Sequence, residues 1–150
     1  MKRFVWRLQK VLDVKTKLEE VKRIELFRLT ENLAEKQGEL LMCQRVLREI
    51  IDGIAKDKSP QRLMAQEFFL KQAAVNDERI RRLKGEMVEL QARQKEKTAE
   101  LLALRRSREG LERLRAQARE QFIREQEKLE QKELDDRSTM AFARKESVKG

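Results

Sequence analysis

Residues Phe69 to Leu129 read FLKQAAVNDERIRRLKGEMVELQARQKEKTAELLALRRSREGLERLRAQAREQFIREQEKL. Stepping alternately four and three through this stretch gives Phe69, Ala73, Asn76, Ile80, Leu83, Met87, Leu90, Gln94, Lys97, Leu101, Leu104, Arg108, Leu111, Arg115, Ala118, Phe122, Glu125 and Leu129. Twelve of these eighteen positions are apolar, in a chain whose residues are 42% charged. A repeat of that spacing suits a long helix that lays one narrow seam against another helix. Such a helix transmits, spaces or docks and does not enclose a pocket.

Composition points the same way. Lys, Arg, Glu, Leu and Ala together make up 89 of the 150 residues, well above the half that already marks coiled coils. One proline, five glycines and no tyrosine leave few devices for turns or sheets. The apolar residues are spread along stripes, so the fold class is all-α, a long antiparallel two-helix coiled coil (an α-hairpin) in one elongated domain.

Ser59-Pro60 is the strong breaker, because proline fixes its own φ and biases the preceding residue out of the helical region. Ser59 suits an N-cap and Pro60 a first helical position. The capping box is incomplete, since Arg62 stands where a glutamate would complete it. Helix 1 is expected over about residues 3–56, a turn over 57–60, helix 2 over about 60–137 and a flexible tail over 138–150. At 1.5 Å per residue the helices would measure roughly 80 Å and roughly 115 Å, the second longer than the first.

Helix 1 has its own seam at Leu26, Leu29, Leu33, Lys36, Leu40, Cys43, Leu47, Ile50 and Ile54. Upstream, Val11, Val14, Leu18 and Val21 form a second run about one residue out of phase, which reads as a stutter between Val21 and Leu26. Gly38, Gly85 and Gly110 fall at water-facing positions. A fold-back about residue 59 has three consequences. The stutter lies opposite Gln94 and Lys97 and makes a weak layer, and Phe4 meets the neighbourhood of Leu114. Helix 2 then overhangs, carrying Ala118, Phe122, Leu129 and Leu134 past the end of helix 1. An apolar strip without an internal partner calls for another molecule to cover it; homodimerisation or fraying is the plain alternative.

Several chemistries find no support in the residues. Histidine is absent, so the commonest general base and metal ligand is missing. The glycines stand singly and form no phosphate loop. Carboxylate pairs such as Glu19-Glu20 and Asp135-Asp136 lie on charged helix surface, and Cys43 occupies a seam position as a small core residue. The reading is of a non-enzyme without cofactor or metal. The lone cysteine and the lack of a long apolar run point to a reducing, cytoplasmic setting, and Arg7, Gln9 and Lys10 interrupt any signal-peptide core.

The net charge of +9 invites acidic partners, but the bases are interleaved with carboxylates, as on a solvated helix surface. Residues 1–18 combine Phe4, Trp6, Leu8, Val11 and Leu12 with six bases and one acid; the face either lies on anionic lipid or packs on helix 2 near Leu111 and Leu114. Phe69 lies in the seam register and Phe68 one step beside it. With Leu70, Phe68 makes either an aromatic docking patch at the hairpin tip or plain edge packing.

The segment Glu127-Lys128-Leu129-Glu130-Gln131-Lys132-Glu133-Leu134-Asp135-Asp136, followed by Met140-Ala141-Phe142-Ala143-Arg144-Lys145, resembles the C-terminal signature of the flagellar export protein FliJ family. The opening Phe4, Leu8, Val11 and Leu12 is similar to the family's starts, and length and two-helix layout agree along the chain. The resemblance implies a non-enzymatic stalk of the flagellar type III protein export apparatus, at the inner face of the cell membrane at the flagellar base, and hence a role in motility and chemotaxis. Such a stalk docks in the hexameric export ATPase ring and reaches a membrane export gate protein, promoting ATPase assembly and subunit export. An ATPase regulator and export chaperones are further partners.

Carried over, Phe4, Arg7, Leu8, Gln131, Leu134 and Asp135, with Phe122 of the overhang, belong to the ATPase end. Met42, Val46 and Phe68 or Phe69 belong to the gate end. The tyrosines and histidines of some members are absent from that surface. The rival readings are the stalk of a virulence type III secretion system, a self-associating scaffold, and a nucleic-acid-binding coiled coil. Interleaved charge and few exposed aromatics argue against nucleic acid, and the stalk reading expects a monomer or weak dimer.

Overall fold

A computed structural model of the chain describes residues 2–56 and 62–149. Two α-helices account for nearly all of it: α1, Gln9–Lys56, and the longer α2, Arg62–Lys149. The expected turn over 57–60, with Ser59 as cap and Pro60 at the helix start, lies outside the described residues. The described residues contain no strand.

The chain divides into two compact units, residues 1–18 with 104–150 and residues 19–103. In the second, α1 and α2 run antiparallel as a helical hairpin. Lys22 pairs with Glu100 at 3.0 Å and Lys36 with Glu86 at 3.1 Å, so fourteen residues along one helix match fourteen back along the other. The core of this unit is Leu40, Cys43, Ile80 and Leu83, each 4–7% exposed, with Leu47 and Met87 against them. Asn76 occupies a seam position and donates from Nδ2 to the Cys43 carbonyl at 2.6 Å. A polar seam residue bound to a specific carbonyl favours one register over its neighbours.

The helix 2 stripe holds as read. All sixteen of its positions from Phe69 to Phe122 are buried or half-buried, whereas the last two, Glu125 and Leu129, are exposed. On α1 the nine positions from Leu26 to Ile54 are likewise buried or half-buried. The upstream run is a correction. Val11, Val14, Leu18 and Val21 are 42–55% exposed, and the seam passes instead through Leu8, Leu12, Lys15, Glu19 and Lys22, all buried or half-buried. These positions continue the alternation of four and three into Leu26, so α1 keeps one register and has no stutter. Packing geometry, not apolarity, chooses the seam here.

Register and helix ends also differ from expectation. A fold-back about residue 59 would set Lys22 opposite Glu96; it pairs with Glu100, about one turn further on. Two stripes interdigitate only at shifts that bring seam onto seam, and this requirement outranks the symmetry of the turn. Helix 1 begins at Gln9, not near residue 3, and α2 runs on through the expected tail to Lys149. Residues 137–149 contain no glycine or proline to stop it, and Thr139 donates back to the Asp135 carbonyl at 2.8 Å.

The layer expected to be weak is filled by ions. Lys97 sits 3.2 Å from Glu25 and 3.6 Å from Glu100, and Lys22 bridges the same two carboxylates at 3.5 and 3.0 Å. Beside them Gln94 donates to the Thr30 hydroxyl at 3.2 Å. The hydrogen bond from Lys97 holds the Glu25 carboxyl below its ordinary range, and that from Lys22 does the same for Glu100. The Lys22 ammonium is raised, chiefly by its hydrogen bond to Glu100.

Two predictions follow from the packing. A Cβ added at Gly38 or Gly85 meets nothing within 4 Å. Gly38→Ala and Gly85→Ala should therefore each stabilise the helices by about 0.5–1 kcal/mol, read as a higher urea midpoint; a lower midpoint would show the positions to be occupied. The second concerns pH. Carboxylates with lowered pKa contribute stability above their unfolded values, and lose it as pH falls through the lowered folded values. Between about pH 5 and about pH 3 the wild-type thermal midpoint should fall more steeply than that of Lys22→Leu/Lys97→Leu. Parallel slopes would remove the ionic layer as a stabilising element.

Candidate functional site at the terminal end

In the unit formed by residues 1–18 and 104–150, the first residues are not helical. Arg7 and Leu8 form a turn, the Gln9 amide donates to the Trp6 carbonyl at 3.2 Å, and α1 starts there. Upstream, an extended segment runs along α2. Extended chain advances about twice as far per residue as helix, so the five-residue step from Gln9 back to Phe4, part turn and part extended, keeps pace with the seven-residue step of α2 from Arg115 to Phe122. Phe4 therefore meets Phe122, with ring centroids 5.5 Å apart at 51°, and not the neighbourhood of Leu114. The tilted ring contact with Phe122 and the Arg115 guanidinium over the Phe4 ring, 5.7 Å from its centroid, hold this segment against α2.

Arg115 is the hinge of this contact. Its Nε donates to Gln9 Oε1 at 2.8 Å, and the Gln9 amide nitrogen donates to Asp13 Oδ1 at 3.0 Å. One arginine thus fixes both the start of α1 and the aromatic pair. Beside it lies an open groove of about 630 Å³ lined by Gln9, Leu12, Glu112, Arg115, Ala116 and Ile123, among others. Phe122 and Lys2 border a smaller one of about 270 Å³. The sequence marks Arg115 only as a polar break in the stripe; its seam position beneath an N-terminal phenylalanine is the clue that could have found it.

Beyond Gln126 every side chain with described exposure, through Val148, is exposed. Leu129, Leu134, Met140 and Phe142 are 52–65% accessible. The overhang is real and begins one to two turns later than expected, because the extended N-terminus covers Phe122. Of the residues carried over to the ATPase end, Phe4 and Phe122 pack against each other, Leu8 is half-buried and Arg7 exposed. Gln131, Leu134 and Asp135 stand exposed on the overhang. Phe4 and Phe122 are thus a structural pair, while the last three are free to touch something else.

The gate-end residues lie in the unit of residues 19–103. Met42 and Val46 are exposed on α1. Phe68 is exposed and Phe69 half-buried, their rings edge-on with centroids 5.9 Å apart. Their assignment to seam and flank holds.

The family model described as flagellar FliJ protein matches residues 3–147. The chain belongs to the flagellar FliJ protein family. No curated protein and no solved structure matches it. Membership makes this a flagellar export-related coiled-coil protein, from a family of non-catalytic export components associated with the flagellar export apparatus. Among the described residues no helix is long and apolar enough to cross a membrane.

The Phe4–Phe122 contact yields a test. Phe122→Ala should cost about 1 kcal/mol in stability and release residues 2–8, raising amide exchange there while α1 beyond Leu12 stays protected. Unchanged exchange over residues 2–8 would mean that the ring pair does not hold the segment.

Proposed function

We propose that this protein is the central stalk of the flagellar type III export apparatus, seated by its terminal end in the hexameric export ATPase. The observation that carries the reading is the overhang. From Glu127 to Val148 a continuous helix carries Leu129, Leu134, Met140 and Phe142 with no packing partner in its own chain. Water disfavours that surface, and a ring with an apolar lining would cover it. Gln131, Leu134 and Asp135 are the contact residues, with Arg7 exposed at the start of α1.

At the other end, exposed Phe68, Met42 and Val46 would meet the membrane-embedded gate, which places the protein at the inner face of the cell membrane as a peripheral component. Coupling is then mechanical and electrostatic, promoting ring assembly and subunit export; an ATPase regulator and export chaperones are the other partners of this reading.

The experiment uses a residue outside the packed pair. Leu134→Asp should abolish stimulation of the purified export ATPase while far-UV circular dichroism stays that of the wild type. Full stimulation by this variant would remove the overhang as the docking element. Phe4→Asp is the poorer probe, because it also breaks the contact with Phe122.

A further inference from the structure

The +9 charge is not spread evenly once the chain is folded. Residues 1–18 hold six bases and one acid, and residues 104–126 seven bases and four acids. The fold packs these segments into one unit, so a surplus of eight out of the chain's nine charges gathers there. At 100° per residue, Val11, Val14 and Leu18 share one arc of α1, about 120° wide, with Lys10 and Lys17. No acid falls within it. The three aliphatics are 42–55% exposed, and neither base has a carboxylate within ion-pair distance. On the same flank of α2 stand Leu114, half exposed, the small Ser107 and Gly110, and the unpaired Arg106 and Arg113.

The first ten residues of the overhang present the opposite pattern. In Glu127–Asp136 five acids face two bases. On the helix, Leu129, Leu134, Glu127, Glu130 and Glu133 fall within an arc of about 160°, and Lys128 and Lys132 both lie outside it. This is an acidic amphipathic helix with exposed leucines and no partner. It cannot reach the basic stripe of its own chain, because α2 is unbroken from Arg62 to Lys149 and a straight helix does not fold back on itself.

We infer that the basic aliphatic stripe of one copy receives the acidic segment Glu127–Asp136 of a second copy, in a reciprocal two-fold pair. Each copy supplies both surfaces, so one dimer satisfies two such contacts, as an isologous interface requires. The stripe from Val11 to Leu18 is apolar at heptad spacing and flanked by small residues, which suits a third helix laid alongside. Its side chains are aliphatic and shallow, with Phe4 already engaged by Phe122, which suits a bilayer less well. The dimer covers Leu134 and so competes with ring docking; that clause rests on the function proposed above, but the measurements below involve no ATPase, so the two fail separately.

Sedimentation velocity of the full chain from about 1 to about 200 µM should reveal a monomer–dimer equilibrium. Its Kd should rise at least about tenfold from 50 to 500 mM NaCl. Lys10→Glu/Lys17→Glu/Arg113→Glu and, separately, Glu127→Lys/Glu130→Lys/Glu133→Lys should each be monomeric with wild-type helicity, since all six positions are exposed. Mixed one to one, the two variants should form a heterodimer, because each then carries two surfaces of one sign. A wild-type monomer throughout the range, a dimer indifferent to both reversals, or a mixture without heterodimer would overturn the pairing. So would binding of the wild type to anionic phosphatidylglycerol vesicles with no dimer in solution.

Discussion

Two α-helices touch along one line, and in this molecule that line is fixed by the alternation of four and three in both sequences. A side chain on the line loses water and gains a partner; a side chain one step away does neither. A two-helix contact is too thin to bury anything fully, and among the described residues no large side chain is wholly enclosed. The stability of the pair therefore comes from many half-buried contacts, and no single one dominates. Placement on or off the seam decides what each residue can do, which is why Phe69 and Phe68, adjacent in sequence, have different surroundings.

The same constraint explains the polar stretch of the seam. Lys15, Glu19 and Lys22 occupy positions that leucine would fill in a uniform coiled coil, and Lys97 occupies another on α2 beside Glu25. Ion pairs in so exposed a setting contribute little net energy compared with apolar packing. What they supply is selectivity: a one-turn shift of α1 along α2 would separate Lys22 from Glu100 and Lys97 from Glu25 at once. Asn76 on the Cys43 carbonyl exerts the same discrimination nearer the hairpin turn.

How much of this was legible beforehand follows from where apolarity and seam coincide. On α2 they coincide at eleven of the sixteen positions from Phe69 to Phe122, enough for the stripe to be read through its polar breaks, and the overhang with it. On the first turns of α1 they diverge. Val11, Val14, Leu18 and Val21 are the apolar residues, yet the line of contact runs through the lysines and the glutamate beside them, so counting hydrophobic residues produced a stutter that does not exist. The extended start was hidden for another reason: its conformation is set by Phe122 and Arg115, more than a hundred residues away, and no local propensity carries that information. The FliJ-like residues Gln131, Leu134 and Asp135 were legible as a motif, and folding leaves them uncovered. Phe4 and Phe122 were legible as apolar but not as partners of each other.

The charge distribution was hidden for a related reason. Beyond residues 1–18, bases and acids alternate closely along the sequence, and a solvated surface is the natural conclusion for most of its length. Folding brings residues 1–18 against residues 104–126 and so adds two modest local surpluses into one. At the same time the heptad sorts charge around each helix: Asp13 falls outside the arc that holds Lys10 and Lys17, and Lys128 and Lys132 fall outside the one that holds Glu127, Glu130 and Glu133. Interleaving along the chain is thus compatible with segregation around the axis, since residues one or two apart point in different directions while those three or four apart share a face. A helical protein whose charges interleave along most of its length can still present one face of each sign, and those faces, not the net charge, decide what it holds.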